Sequence, residues 1–138
     1  MPSFNAELHL STKGDADVVD LTSEVVGVVR QSGVTEGSVA VFVPGSTAAV
    51  TTMEYERGGV QDLRAALDRL IPQEGDYEHN RLNRDTNSHA HIRAAIVGPS
   101  ETVPIKDGNL RLGIWQQIVL IDFDDRPRER TVVVTVSA

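Results

Sequence analysis

The chain has 138 residues, of which 40% are hydrophobic and 24% charged, a composition typical of one soluble globular domain spanning residues 1–138. Its net charge of −7 excludes nonspecific nucleic-acid binding, because no excess of lysine and arginine exists to displace counterions from phosphates. It has no cysteine, which excludes disulfides and thiolate chemistry and leaves histidine, carboxylate and backbone oxygen as metal ligands.

Membrane and export signals are also missing from the sequence. No apolar run approaches the roughly 18 residues of a transmembrane helix. The first fifteen residues lack the basic and apolar regions of a secretion signal. We therefore expect a cytoplasmic protein without a membrane partner.

The first half of the chain predicts alternating strands and helices. Apolar and polar residues alternate at the N-terminus, which places His9 on the polar, solvated face of a strand. Asp20 is a candidate helix cap, and Gly33 is a candidate stop for the same helix. The predicted elements are strands at residues 4–10, 38–43 and 48–55 and helices at residues 21–31 and 60–71, the second helix ended by Pro72.

Two short segments of this half carry candidate functional groups. Residues 44–47 have the composition of a plain turn, the favoured interpretation, but Ser46 and Thr47 also offer hydroxyls to a ligand. Strand alternation places Glu54 and Glu56 on one face. Three roles are open for them: an acid–base pair, partners that orient histidines, or solvated charges at the end of a strand.

Three of the four histidines lie within residues 79–93, after a stretch without periodicity at residues 72–86 whose length is typical of functional or disordered loops. Asn87 or Ser88 is a candidate cap for a helix over residues 89–97. In a helix His89 shares a face with Arg93 and diverges from His91, whereas in an extended segment both histidines point to the same side. The sequence leaves both conformations open.

The C-terminal part predicts β-structure. Asp107-Gly108 between apolar runs indicates a hairpin of residues 102–105 and 110–112. Residues 117–123 and 131–136 are expected to be adjacent antiparallel strands joined by a polar turn. Core packing is the favoured role for Trp115, ahead of stacking on a ligand.

Several motifs resemble the YjbQ-like family (uncharacterised protein family 47, the secondary thiamine-phosphate synthase family). The segment SETVPIKDGNLRLGIWQQI resembles the family signature, with Gly113-Ile114-Trp115-Gln116 where the family has Gly-Thr-Trp-Gln. Gly45-Ser46-Thr47-Ala48-Ala49 resembles its His-Thr-Thr-Ala-Ala element, with glycine in place of histidine. Residues 63–72 and 77–94 resemble its amphipathic helix and its Tyr-x-His-Asn and Asn-x-His-Ala-His segments. The resemblance covers essentially the whole chain.

This resemblance implies an α+β fold with a mostly antiparallel sheet, two to three helices packed against it, and assembly as a homotrimer. It also implies a divalent-metal site for zinc or magnesium near a subunit boundary. His79 and His91 are its expected ligands, and His89 is a candidate to replace the ligand missing at Gly45.

The activity implied is weak thiamine-phosphate synthesis by a metal-dependent enzyme acting on a phosphorylated small molecule. Hydrogen-bond donors and a divalent cation would neutralise the negative charge on the leaving pyrophosphate. The predicted roles are catalytic for Glu54 and Arg93 and substrate-binding for Ser46, Thr47, Asn87, Trp115 and Gln116. The alternatives are a non-catalytic trimer that binds a metal or a small anion, and a metal-assisted phosphate-ester hydrolase.

Overall fold

The computed structural model describes residues 3–138, and these form eight strands and four helices. The strands are β1 (Phe4–Thr12), β2 (Asp17–Asp20), β3 (Gly37–Phe42), β4 (Ala48–Met53), β5 (Ser100–Lys106), β6 (Asn109–Leu110), β7 (Gln117–Asp122) and β8 (Arg128–Ser137). The helices are α1 (Thr22–Ser32), α2 (Arg57–Leu70), α3 (Glu78–Asn83) and α4 (Ser88–Val97).

The strands form two antiparallel sheets, which confirms the predicted α+β class. One sheet has the order β1-β8-β3-β5-β6, and the smaller one has the order β2-β7-β4. The turn of the predicted hairpin lies between β5 and β6, where Asp107 and Gly108 both have positive φ angles, of 52° and 77°. Such angles fit the Asp-Gly turn that the sequence predicts.

The smaller sheet is buried on both faces. Ile118 and Leu120 of β7 pack into a core shared with the larger sheet and α1. Val119 and Ile121, which point the other way, pack into a second core with α2 and α4. This two-sided burial explains why β7 is apolar throughout instead of alternating.

The predicted pairing of the last two strands is wrong. β7 pairs with β2 and β4, whereas β8 pairs with β1 and β3 in the other sheet. The polar segment between them therefore carries the chain from one sheet to the other. Of the two neighbours of β7, β4 was predicted as a strand, whereas β2, which has only four residues, was not.

Several element boundaries also differ from the prediction. β4 ends at Met53, and α2 begins at Arg57, because the Glu56 carboxylate accepts hydrogen bonds from the N–H groups of Gly58 and Gly59 and so caps the helix. α3 occupies part of the segment predicted to lack periodic structure. Within residues 3–138, no helix combines the length and the apolar character needed to cross a membrane.

Candidate functional site

His79 of α3 and His91 of α4 form a close pair of imidazole rings. Their centroids lie 4.7 Å apart, with the ring planes tilted by 50°. The Asn80 Oδ1 atom accepts a hydrogen bond from the Ser88 N–H at 3.1 Å and lies 3.1 Å from His79 Nδ1. Because this oxygen is an acceptor, His79 Nδ1 donates to it, and the His79 Nε2 atom is left as the nitrogen with a lone pair for a ligand.

The helical conformation of α4 separates the three clustered histidines. The extended alternative is wrong, because Ser88–Val97 is helical. His91 lines a cavity of about 240 Å³ together with Gly45 and Ser46. His89 lines a different cavity, of about 210 Å³, together with Arg93. The predicted metal ligands therefore divide into a pair, His79 and His91, and a separate His89.

Gly45 lies against the guanidinium of Arg130. A Cβ atom at position 45 would lie 2.9 Å from Arg130 Nη1, so any side chain there would displace the arginine. Arg130 is held by hydrogen bonds to Asp122, at 2.7 and 2.9 Å, and to the Thr47 hydroxyl, at 2.7 Å. The absence of a side chain at position 45 thus lets the Arg130 guanidinium approach this loop.

The Thr47 hydroxyl makes two hydrogen bonds inside the protein. It accepts the hydrogen bond from Arg130 and donates one to Asp124 Oδ2 at 3.1 Å. Asp124 also accepts two hydrogen bonds from Arg128. The substrate-binding role predicted for Thr47 stays a prediction, but Ser46, which is exposed on the same loop, is the hydroxyl that a ligand can reach.

The pKa values of the two buried aspartates of this network are both lowered, which favours their ionised forms. Burial by itself would raise the pKa of Asp122, but hydrogen bonds from Arg130, Thr12 and the Asp124 N–H outweigh it and lower that pKa. The pKa of Asp124 is lowered in the same way, by Arg128, the Asp125 N–H and Thr47. This network was not predicted from the sequence, although Asp122 and Asp124 before the turn and Arg128 and Arg130 after it alternate in a way that indicates it.

Three other predicted site residues lie at the opposite end of β4 from Ser46. Gln116 donates through Nε2 to the Thr52 hydroxyl, and Glu54 follows the last residue of β4. A six-residue strand spans roughly 17 Å, so within one chain Glu54, Trp115 and Gln116 are far from the histidine pair. Trp115 is 70% exposed, and the prediction that it packs in the core is wrong.

Asn87 occupies the N-cap position of α4 without a capping hydrogen bond from its side chain. Its Oδ1 atom is buried and has no hydrogen-bond partner among the described residues.

No three His, Asp or Glu side chains within residues 3–138 are grouped so that they could hold one metal ion. The imidazoles of His79 and His91 lie together as a pair.

Comparisons with known proteins agree with one another. The family model described as UPF0047 protein YjbQ-like matches residues 6–138. A UPF0047 protein from Methanothermobacter thermautotrophicus is 36% identical over 99% of this chain and 94% of its own length, and one from Archaeoglobus fulgidus is 38% identical over 93% and 97%. The crystal structure of a YbjQ-like protein of unknown function from Sulfolobus solfataricus has a TM-score of 0.92 and 31% identity, covering 98% of this chain and 96% of that one.

Proposed function

Because the chain belongs to the UPF0047 YjbQ-like family, a family of unknown function, we propose a function from its own geometry: it binds a small phosphorylated molecule beside His79 and His91. The observation that carries this proposal is the pairing of two imidazoles from separate helices, with ring centroids 4.7 Å apart, one of which lines the cavity beside Gly45 and Ser46. Imidazole nitrogens and hydroxyl donors suit phosphate oxygens and the cations that accompany them.

The pair also supports binding of a divalent metal ion, for which imidazole favours zinc over magnesium. The Asn80 contact orients His79 in the way that second-shell oxygens orient metal-bound histidines. Catalytic zinc sites usually have three protein ligands, and one chain supplies two. The remaining positions would be filled by water, by phosphate oxygens of the ligand or by a residue of another subunit.

Thiamine-phosphate synthesis is the specific reaction we propose for this site. Loss of pyrophosphate requires neutralisation of the charge that develops on the leaving group. The Ser46 hydroxyl and Arg130 Nη1 are donors beside Gly45 that suit this task, together with a cation that acts as a Lewis acid. Within one chain, the predicted catalytic residues Arg93 and Glu54 do not line this cavity.

A homotrimer in the cytoplasm is the assembly and location that we propose. Large apolar side chains are exposed on two strands, on three of the four helices and in the loop before β7. They are Phe4, Phe42, Leu70, Leu82, Ile96, Ile114 and Trp115. Contiguous apolar surface marks protein interfaces, and these side chains are the ones we propose for the subunit contacts. A neighbouring subunit could also bring Trp115 and Glu54 to the histidine pair. Light scattering should give three times the 15.0 kDa chain mass, and a single-chain mass would refute the trimer.

A non-catalytic binding protein is the second candidate function. The absence of a ligand side chain at Gly45 and the pair of only two histidines favour binding without turnover. A synthase assay with metal present distinguishes the two candidates, because a protein that binds phosphate and metal but forms no thiamine phosphate would be a binding protein or act on another substrate.

Elemental analysis of three histidine variants tests the metal site. We expect about one zinc per chain in the wild type and its loss in His79→Ala and His91→Ala. His9→Ala is the matched control, because His9 lies on the exposed face of β1 and should leave the zinc content unchanged. Zinc should also raise the melting temperature of the wild type. A protein with no stoichiometric metal and no thermal shift would refute the metal proposal.

A further inference from the structure

The cavity between α2 and α4 is polar and lies on the side of α4 away from the His79–His91 pair. Its wall includes Asp15, Ala16, Arg64, Asp68, His89 and Arg93, and its volume is about 210 Å³. Pockets for drug-sized ligands have volumes of about 300–1,000 Å³, so this one suits a smaller molecule. We call it the α2–α4 cavity.

His89 contributes an unsatisfied polar group to this wall. Its side chain belongs to a residue that is 2% exposed, and its Nδ1 atom has no hydrogen-bond partner in the part of the chain that the structure describes. Leaving such a buried group unpaired is unfavourable, because it has lost its hydrogen bonds to water without gaining a replacement. A buried polar group without a protein partner in a cavity wall indicates that a molecule in the cavity, water or a ligand, supplies the partner.

Arg93 and Arg64 supply donors that the protein leaves unused. Arg93 is 4% exposed, and its Nε and Nη2 atoms donate to the carbonyl of Ile71 at 3.1 and 2.8 Å. Arg64 donates through Nε to the carbonyl of Ala16 at 2.9 Å. Within residues 3–138, Arg93 Nη1 and both terminal nitrogens of Arg64 have no protein acceptor.

The acidic residues of the wall do not neutralise these donors fully. Asp68 makes a single contact of 3.2 Å with Arg93 Nη2, and its side chain is 74% exposed. Asp15 is also exposed. The carboxylates thus lie on the solvent side, where water screens them, while the guanidinium of Arg93 is buried. Guanidinium groups with free N–H pairs bind carboxylate and phosphate oxygens.

We propose that the α2–α4 cavity binds a small oxyanion, through Arg64 and Arg93, with a hydroxyl group of the ligand hydrogen-bonded to His89 Nδ1. The same chemistry fits a hydroxycarboxylate and a small phosphate ester. This site is separate from the phosphate site proposed at His79 and His91, because the helical phase of α4 directs His89 and Arg93 to one side and His91 to the other.

Side-chain NMR of the four histidines tests this proposal. Phosphate and malate are titrated separately at a fixed ionic strength set with sodium chloride, in the wild type and in His91→Ala. The ring resonances of His89 should shift and saturate with at least one anion in both proteins. Tighter binding of phosphate identifies a phosphate ligand, and tighter binding of malate identifies a hydroxycarboxylate. Persistence of the His89 shift in His91→Ala separates this site from the histidine pair.

Arg64→Gln should weaken the anion affinity at least tenfold, while its backbone spectrum shows that the fold is kept. Arg69→Gln is the matched control, because Arg69 lies on the same helix, is exposed and is not part of the cavity wall. The proposal is overturned if neither anion moves the His89 resonances, if sodium chloride moves them equally, or if the two arginine variants bind the anion alike. Loss of the His89 shift in His91→Ala would also overturn it.

Discussion

Replacement of Arg130 by methionine should destabilise the protein strongly. Asp122 is fully buried, and its carboxylate accepts two hydrogen bonds from Arg130 and one, at 2.5 Å, from the Thr12 hydroxyl. Removing one partner of a buried ion pair costs about 3–5 kcal/mol, because the other charge stays buried without compensation. At an unfolding entropy of about 2.1 cal/mol/K per residue, the melting temperature should fall by roughly 10–17 °C.

The stability lost in Arg130→Met should be smaller at low pH than at neutral pH. In the wild type the pKa of Asp122 is lowered, so its stabilising contribution is present above the unfolded pKa of about 3.9 and is lost as the pH falls through the folded value. In Arg130→Met, burial acts without the guanidinium and raises that pKa. Protonation of Asp122 then relieves the buried charge, and the difference between the two proteins shrinks on acidification.

Denaturation by guanidinium chloride at pH 7 and pH 4 measures both effects. Arg128→Met is the matched control. The Arg128 side chain is 35% exposed, so water replaces part of its contact with Asp124, and the free energy of unfolding should fall less than in Arg130→Met. Adding Asp122→Leu to Arg130→Met should recover part of the stability. A loss below about 1 kcal/mol at pH 7, or an equal loss at pH 4, would refute the reasoning.

Three further outcomes are expected. Glu56→Ala should cost about 1 kcal/mol in chemical denaturation by removing the cap of α2, with Glu54→Ala as a near-neutral control; equal losses would contradict the capping role. Gly14→Ala should lower the melting temperature more than Gly33→Ala, because both φ angles are positive but only the Gly14 Cβ would meet backbone, at 2.6 Å. Burial, followed by the Arg93 charge, lowers the pKa of His89, so the free energy of unfolding should fall as the pH drops below about 6.5. His89→Gln should flatten this dependence of stability on pH. An unchanged dependence would assign it to other groups.

The periodicity of the sequence predicted much of the local structure and one feature of the sites. The 3.6-residue period of a helix was enough to predict that His89 and Arg93 share a face and that His91 does not, once α4 is helical. The Asp107-Gly108 turn and the stop of α1 at Gly33, which has a φ angle of 72°, follow from local backbone preferences. These features depend on residues close together in the chain.

The choice of strand partners was decided by the tertiary structure. The segment at residues 117–123 is apolar enough for either sheet, and its pairing with the short β2 depends on burial against α2 and α4 on one face. Trp115 is large and apolar, but it lies in an exposed loop held by Gln116 and Thr52. Hydrophobicity does not specify which surface an apolar side chain meets.

The composition of the sites was likewise decided by contacts between distant residues. The close approach of His79 and His91 requires α3 to pack against the start of α4, and Asn80 links the two through Ser88. The network of Thr12, Thr47, Asp122 and Arg130 joins segments more than 100 residues apart, as the Thr12 to Asp122 hydrogen bond shows. The sequence by itself supplied the family resemblance and the histidine cluster, whereas the tertiary structure decided which groups meet, because side chains from separate elements converge only when those elements pack.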